Sequence, residues 1–414
     1  MSEAAHDPYL ALRHPEYRRF MLAMFAVFVG ALIQSTVLGW QVYALTRDPM
    51  ALGYVGLAEF LPFVLLTLPG GWVADQMDRR TLALLSHLAI LASGFWLLAL
   101  SFGQPGSVWP FYAVQALAGL GRAFFRPCSV ALGTELVPRE HLQNAATWRT
   151  TVFTTSAVAG PALGGLLLGF GSPRLAYAVM AALMVVAHVL ILSLKPRPRK
   201  PTGKGLTEGL GEGLRFVFGH QLILAALSLD LFAVLFGGAV ALLPAFAQDV
   251  LGTNGLGFGV LRAAPSAGAI AMSLLLAHRP PLRRAGPTLL WSVALFGLTW
   301  ILFAYARVYA LSLFLLAAGG ALDAVSMVVR GTLTQTLTPE PLMGRVLAVN
   351  SLFIGSSNEL GAFESGLAAK CFGLANSVAL GGLMTLLTVG AVAARAPKLR
   401  ALKRIVGDAP PSAG

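Results

Sequence analysis

The chain of 414 residues has few charged side chains, only 12%, and few cysteines, only 2. An ordinary soluble protein has about 25% charged residues, so this composition cannot cover the surface of a water-soluble domain. Cys128 and Cys371 alone give neither a disulfide framework nor the spacing of a metal site. With 56% hydrophobic residues and 45 glycines, the composition instead favours an integral membrane protein.

Motifs for enzymatic or nucleotide-driven chemistry are also missing from the sequence. It contains no nucleophile elbow, phosphate-binding loop or ATP-binding motif, and its histidines are scattered without paired spacing. These absences exclude ATP-driven transport from within this chain, and they argue against an enzyme, a metal site and a resident cofactor.

Long runs without charge divide the chain into membrane-crossing lengths of about 20 residues. The first run, residues 20 to 45, is too long for a cleaved leader and lacks a small-residue cleavage pattern, so we expect it to remain as an anchor. Charges and Pro/Gly punctuation predict an all-α membrane protein of twelve spans: 20–45, 50–75, 80–101, 108–136, 141–170, 174–194, 221–247, 254–278, 286–306, 308–336, 341–370 and 372–395.

In this arrangement most of the positively charged residues lie on one side of the membrane. If the N-terminus is cytoplasmic, most of the 30 Lys and Arg residues fall on the cytoplasmic side, and only Arg47, Arg174, Arg307 and Lys370 fall outside. The positive-inside rule therefore predicts that both termini are cytoplasmic. The net charge of +12 then reflects topology and contact with anionic lipid, and a nucleic-acid partner is not expected.

A polar segment divides the spans into six and six. Residues 195–220 begin KPRPRKPTGKG, and we interpret them as a cytoplasmic linker between an N-terminal bundle, 1–194, and a C-terminal bundle, 221–414. At an offset of 201 the halves share sparse similarity, with Gly160 on Gly361 and Arg122 on Asp323. Two pseudo-symmetric six-helix repeats with a site near the midplane are a recurring plan of transporters.

Ionisable residues within the spans are the most informative feature of the sequence. Each costs about 2.5–3.5 kcal/mol at the centre of a span on insertion scales, so it normally faces a partner or an interior cavity. Spans 3, 6, 9 and 12 carry none apart from two histidines, which predicts that these four face lipid. The nine that occur lie on spans 2, 4, 7, 8, 10 and 11: Glu59, Arg122, Arg126, Asp230, Arg262, Asp323, Arg330, Glu359 and Glu364.

Two interpretations of these charges remain open from the sequence. They can line the route of substrate and protons, with a central contact between Arg122 and Asp323, or they can be fixed ion pairs that only hold helices together. Glu359 is a candidate proton carrier, with a packing hydrogen bond to Asn358 as the alternative.

The remaining carboxylates leave the same choice. Glu59 is a similar proton-carrier candidate, the alternative being a local bond to backbone freed by Pro62. Asp230 is close enough to the cytoplasmic surface that snorkelling or a linker contact is an equal alternative.

The turn between spans 2 and 3 resembles a family motif. It reads Gly71-Trp-Val-Ala-Asp75-Gln-Met-Asp78-Arg79-Arg80, similar to G-x-L-A-D-R-x-G-R-R of the major facilitator superfamily, with Gln and Asp78 in place of the usual basic residue and Gly. The resemblance implies a gating loop in which Asp75 holds the cytoplasmic side closed and the two arginines anchor the loop. The alternative is a solvated tight turn.

Two further segments, 42–49 and 337–346, are similar to bacterial exporters grouped with the enterobactin exporter. The R-x-x-Q-G motif of proton-coupled drug antiporters is not matched. Gln115 is present, but Tyr112 stands in place of the arginine and Ala116 in place of the glycine. The resemblance implies a monomeric inner-membrane exporter of a small amphiphilic molecule, a siderophore or a drug, driven by the proton gradient through alternating access. Uptake or lipid transport by the same fold, and a non-transporting receptor, are the alternatives.

Overall fold

A computed structural model describes residues 7–103, 105–196, 210–237, 239–279 and 284–403 of the chain. Within these ranges the secondary structure is helical, with turns between the helices and no strand. The predicted all-α class is confirmed. Most of the predicted linker, residues 197–209, lies outside the described ranges, as do the side chains of Asp75 and Glu359.

The first six helices follow the predicted spans closely. They are α1 Pro15–Thr46, α2 Pro49–Gln76, α3 Arg79–Leu100, α4 Trp109–Glu135, α5 Leu142–Phe170 and α6 Pro173–Leu192. Asp78 begins α3 as its N-cap, because its carboxylate accepts a bond from the Thr81 amide at 2.9 Å. Proline occupies the first position of α6, where no amide hydrogen is needed.

The remaining helices include several short ones. They are α7 Leu210–Gly219, α8 Gln221–Gly237, α9 Leu243–Ala245, α10 Gly255–Ala277, α11 Ala285–Tyr305, α12 Tyr309–Leu337, α13 Glu340–Phe372, α14 Leu374–Arg395 and α15 Pro397–Ala401. The short α7 lies within the segment predicted as linker. Gly373, with φ of 82°, separates α13 from α14 in a conformation that favours glycine.

The predicted span 221–247 lies within one helical stretch that is long and apolar enough to cross a membrane, Gln221–Val250, but this stretch is not a regular α-helix throughout. After α8 the chain forms a 3₁₀ turn over Ala239–Leu242, then α9, then a π-helical turn over Phe246–Val250. The sequence carries Gly237-Gly238 and Pro244 here, and both residue types weaken a regular α-helix.

The contacts divide the chain into two compact units. The first unit contains Met1–Leu45 and Ala58–Leu206, and the second contains Thr46–Leu57 and Thr207–Gly414. The start of α2 is therefore part of the second unit, where Gly53 packs closely on the backbone of Phe363 in α13.

Each unit has its own apolar core. In the first, α3 packs on α4 and α6, and α1 meets α4 where Phe20 lies beside Gly133 and α6 where Met184 lies beside Gly30. In the second, α8 packs on α13 and α14, α10 packs on α12, and α11 packs on α12 and α14.

Among the described residues, ten helical stretches are long and apolar enough to cross a membrane. Neither α4 nor α13 is among these described stretches. These are helices on which the sequence placed ionisable groups inside the membrane. The predicted number of twelve spans stays a prediction.

The crossing of α10 and α12 depends on glycine. A Cβ added at Gly320 would overlap the carbonyl of Pro265, and one at Gly268 would overlap the carbonyl of Ala317, so the backbones touch at both points. Close approach of this kind is typical of helix packing in membranes, where small residues bring backbones together.

We expect Gly320→Ala to destabilise the second unit by about 1–3 kcal/mol because the added methyl group forces α10 and α12 apart. The matched control is Gly331→Ala on the same helix, where a Cβ meets nothing within 4 Å. The thermal midpoint of the purified protein, followed by size-exclusion chromatography after heating, should fall for the first variant only. Equal midpoints would contradict the close crossing.

Candidate functional site

In the first unit, a polar network joins three helices at the depth predicted for buried charge. Arg122 on α4 forms an ion pair with Glu59 on α2. The second carboxylate oxygen of Glu59 accepts a bond of 2.9 Å from the side-chain amide of Gln115, which lies two turns before Arg122 on α4. Gln115 in turn accepts a bond of 2.8 Å from Gln34 on α1. Both charges are therefore compensated within the unit.

This network contains residues that sequence reasoning did not single out as site residues. Gln34 and Gln115 are almost fully buried, and an amide in such a position needs partners. Gln34 stands in the long uncharged run of α1, where a neutral side chain gives no charge signal. Its burial could be predicted only from knowing that it faces Gln115 on α4, and the sequence does not show which helices are neighbours.

Arg126 and Arg262 were also predicted as site residues. Arg126 on α4 is exposed, and it has no ion pair within the described part of the chain. Arg262 lies half-buried on α10.

In the second unit, three predicted residues meet at one point. Arg330 on α12 forms a buried ion pair with Asp230 on α8. Another nitrogen of the same guanidinium lies 3.7 Å from a carboxylate oxygen of Asp323, two turns earlier on α12. Asp230 is thus a buried partner of Arg330, and the snorkelling or linker contact considered from the sequence is not what forms.

Charge does not balance in this cluster when all three groups are ionised. Asp230 and Arg330 neutralise each other, and Asp323 then adds one negative charge that the longer contact to Arg330 only partly offsets. An isolated charge in an apolar surrounding is costly, so it favours a proton or a positively charged ligand. The contact between Arg122 and Asp323 expected from the sequence stays a prediction.

A cavity of about 210 Å³ lies beside this cluster, inside the second unit. We call it the second-unit cavity. About 40% of the Asp323 side chain is accessible, and Asp323 is part of the cavity wall together with Asn358. The lining residues come from α8 and α10–α13 and the turn after α8: Val234, Val240, Ala241, Pro265, Phe296, Thr299, Trp300, Phe303, Leu315, Leu316, Gly319, Gly320, Asp323, Asn358 and Ala362.

On α13, the predicted residues separate by face. Asn358 and Ala362 are four apart and both line the second-unit cavity. The side-chain amide of Asn358 donates to the backbone carbonyl of Ile354 at 2.8 Å. Glu364 is two residues from Ala362, a rotation of about 200°, so it lies on a different face and does not line this cavity.

The predicted gating residues lie at the end of α2 and the start of α3, in the first unit. Gly71 is within α2, and a Cβ there would meet nothing within 4 Å. Arg79 forms an ion pair of 2.8 Å with Glu135 at the end of α4. Arg80 donates to the carbonyl of Leu192 at the end of α6, at 2.6 Å. Both arginines therefore bind neighbouring helix ends.

The Asp230–Arg330 pair should behave as a unit. We expect Arg330→Met to lower the free energy of unfolding by about 3–5 kcal/mol because it leaves Asp230 buried without its partner. The double variant Asp230→Leu with Arg330→Met should recover most of that loss, since both charges are gone. Thermal midpoints of the purified variants measure this. A double variant no more stable than Arg330→Met would contradict the pairing.

Comparison with known proteins gives consistent results over most of the chain. The family model described as transmembrane secretion effector matches residues 6–409. The enterobactin exporter of Shigella flexneri is 31% identical over 349 residues, covering 80% of each chain. The enterobactin exporter of Escherichia coli O139:H28 has the same identity and coverage.

Solved structures share the fold at low sequence identity. A D-xylose-proton symporter has a TM-score of 0.72 at 14% identity and covers 95% of this chain and 100% of its own. A bacterial homologue of the human lysosomal transporter Spinster has a TM-score of 0.68 at 16% identity, covering 93% and 96%. The nucleoside transporter NupG has 0.69 at 14%, covering 92% and 99%. At these identities the likeness concerns the fold alone.

Proposed function

Because the chain belongs to the transmembrane secretion effector family of the major facilitator superfamily, we propose that it is a secondary active exporter of a small amphiphilic molecule. It is a multi-pass membrane protein and a transporter, not an enzyme. The proposed location is the bacterial inner membrane, with both termini cytoplasmic and the monomer as the working form. No cofactor is required, since the proton gradient would supply the driving force.

A catecholate siderophore is the first substrate candidate. The relatives that cover 80% of this chain are named enterobactin exporters, and an exporter of similar sequence can carry a similar ligand. The first unit offers Arg126 and the edge of the Glu59–Arg122 network to the anionic oxygens of such a ligand. Arginine suits this task because its planar donors match paired oxygen acceptors.

Proton coupling is proposed at Asp323. Protonation would remove its negative charge and its attraction to the guanidinium of Arg330, which would then belong to Asp230 alone. That change alters the electrostatic balance of α12 without disturbing the buried pair that holds α8 to α12. A protein with two arrangements of its helices responds to a charge change only if the two arrangements bind the proton differently. Alternating access would supply those two arrangements.

One observation supports this proposal above the others: the Asp230–Arg330 pair leaves Asp323 as a partly accessible carboxylate on a cavity wall. Fixed ion pairs that only hold helices together would satisfy every charge. Here one carboxylate remains available to a proton or a ligand.

We expect inside-out vesicles containing the protein to accumulate enterobactin when a proton gradient is imposed and to lose that accumulation when a protonophore is added. Asp323→Asn should abolish gradient-driven accumulation and keep substrate exchange at equilibrium, because only the coupling group has been neutralised. Radiolabelled substrate retained on filters measures both quantities.

The control for this assay is Asp249→Asn, which makes the same carboxylate-to-amide change in the π-helical turn after α9, where Asp249 forms an exposed ion pair with Arg47 at 2.8 Å. It should transport at the wild-type rate. Gradient-driven accumulation by Asp323→Asn at the wild-type rate would contradict the coupling role. Accumulation only in right-side-out vesicles would favour uptake, and binding without any exchange would favour a receptor.

A further inference from the structure

The second-unit cavity is lined by aromatic groups to which the proposed export of a siderophore gives no role. Three aromatic side chains of α11 stand in a row along its wall: Phe296, Trp300 and Phe303. Neighbouring rings are nearly perpendicular, at 83° between Phe296 and Trp300 and 85° between Trp300 and Phe303. Aromatic rings attract a cation that lies over a ring face.

The hydrogen-bond donors of Thr299 and Asn358 on the wall are bound to backbone carbonyls. Thr299 donates its hydroxyl to the carbonyl of Phe296 at 2.7 Å, and the amide nitrogen of Asn358 bonds to its own helix. Hydrogen-bond acceptors thus remain available: the carboxylate of Asp323, the amide oxygen of Asn358 and the hydroxyl oxygen of Thr299. An anion would find few donors here, whereas a cation finds oxygen atoms that carry full or partial negative charge.

The indole N–H of Trp300, which is 4% exposed, has no partner in the described part of the chain. A cation cannot accept this hydrogen bond, so only the ring of Trp300, and not its N–H, is assigned to the ligand.

The charge of the neighbouring cluster sets the sign of the occupant. Arg330 is held by Asp230, and Asp323 contacts the guanidinium only at 3.7 Å. A cation beside Asp323 would restore neutrality without breaking the buried pair. Among the described lining residues Asp323 is the charged one, so no positive side chain of that set opposes a cationic ligand.

Size limits the ligand class further. A cavity of about 210 Å³ is smaller than the roughly 300–1,000 Å³ of sites for drug-sized molecules. It can hold one small ring with an amine attached, and it is too small for a whole siderophore.

From these observations we propose that the second-unit cavity binds a small aromatic or aliphatic organic cation, held between the carboxylate of Asp323 and the rings of Phe296, Trp300 and Phe303. This site goes beyond the proposed export of a siderophore, because its ligand has the opposite charge and its wall is entirely within the second unit.

The test measures equilibrium binding of benzyltrimethylammonium to the purified full-length protein in lipid nanodiscs, with no gradient and no transport step. Isothermal titration calorimetry should show saturable binding with one site per chain. The uncharged isostere neopentylbenzene and the anion phenylacetate should bind at least about tenfold more weakly, because each loses the attraction to Asp323.

Variants with matched controls locate the site. Asp323→Asn should weaken binding of the cation at least about tenfold, and the control Asp249→Asn should leave it unchanged. Trp300→Leu should weaken binding by about 2- to 30-fold through loss of the cation–π contact. Its control is Trp291→Leu on the same helix, where the side chain is 69% exposed.

Because the Trp300 variants leave the carboxylate in place, they test the proposal even if Asp323→Asn does not fold. Equal affinity for the cation and its neutral isostere would overturn the proposal, as would unchanged binding in both Trp300→Leu and Asp323→Asn. Siderophore transport plays no part in this readout, so a failure here leaves the exporter assignment untouched, and a failure of siderophore transport leaves this site untouched.

Discussion

The structure depends on how ionised side chains are compensated inside an apolar medium. Burying a charge without a partner costs several kcal/mol, and pairing it with good geometry recovers much of that cost. The first unit compensates Glu59 with Arg122 and with the amide of Gln115. The second compensates Arg330 with Asp230 and leaves Asp323 partly accessible. A buried ion pair and a partly accessible carboxylate therefore coexist on α12.

The two interpretations that the sequence left open stay predictions, and the structure gives each of them different residues to test. Asp230 and Arg330 hold α8 to α12, as a fixed pair would. Asp323 faces a cavity, as a proton or ligand site would. The charged clusters of the two units also differ in net charge. In the first unit Glu59 and Arg122 neutralise each other and Arg126 is exposed. In the second, Asp230, Arg330 and Asp323 together carry one excess negative charge when all three are ionised.

Much of the fold could be predicted from the sequence because charge and hydropathy report directly on a membrane environment. The uncharged runs placed α1 to α6 within a few residues. The interruption after α8 was missed, since Gly237 and Pro244 stand in a run as apolar as any other.

The partners of the buried charged side chains were harder to predict. Periodicity placed Asp323 and Arg330 on one face of α12, but it could not show that Asp230 on another helix takes the arginine first. Gln34 carries no charge and gave no signal at all.

The central claim is that Asp323 is the carboxylate left available by the buried pair. Infrared difference spectroscopy of the purified protein tests this most directly, because a protonated buried carboxyl group has a resolved C=O stretching band. Acidification should produce such a band in the wild-type protein, and the band should be missing in Asp323→Asn and present in Asp249→Asn. The same band at full intensity in Asp323→Asn would contradict the account.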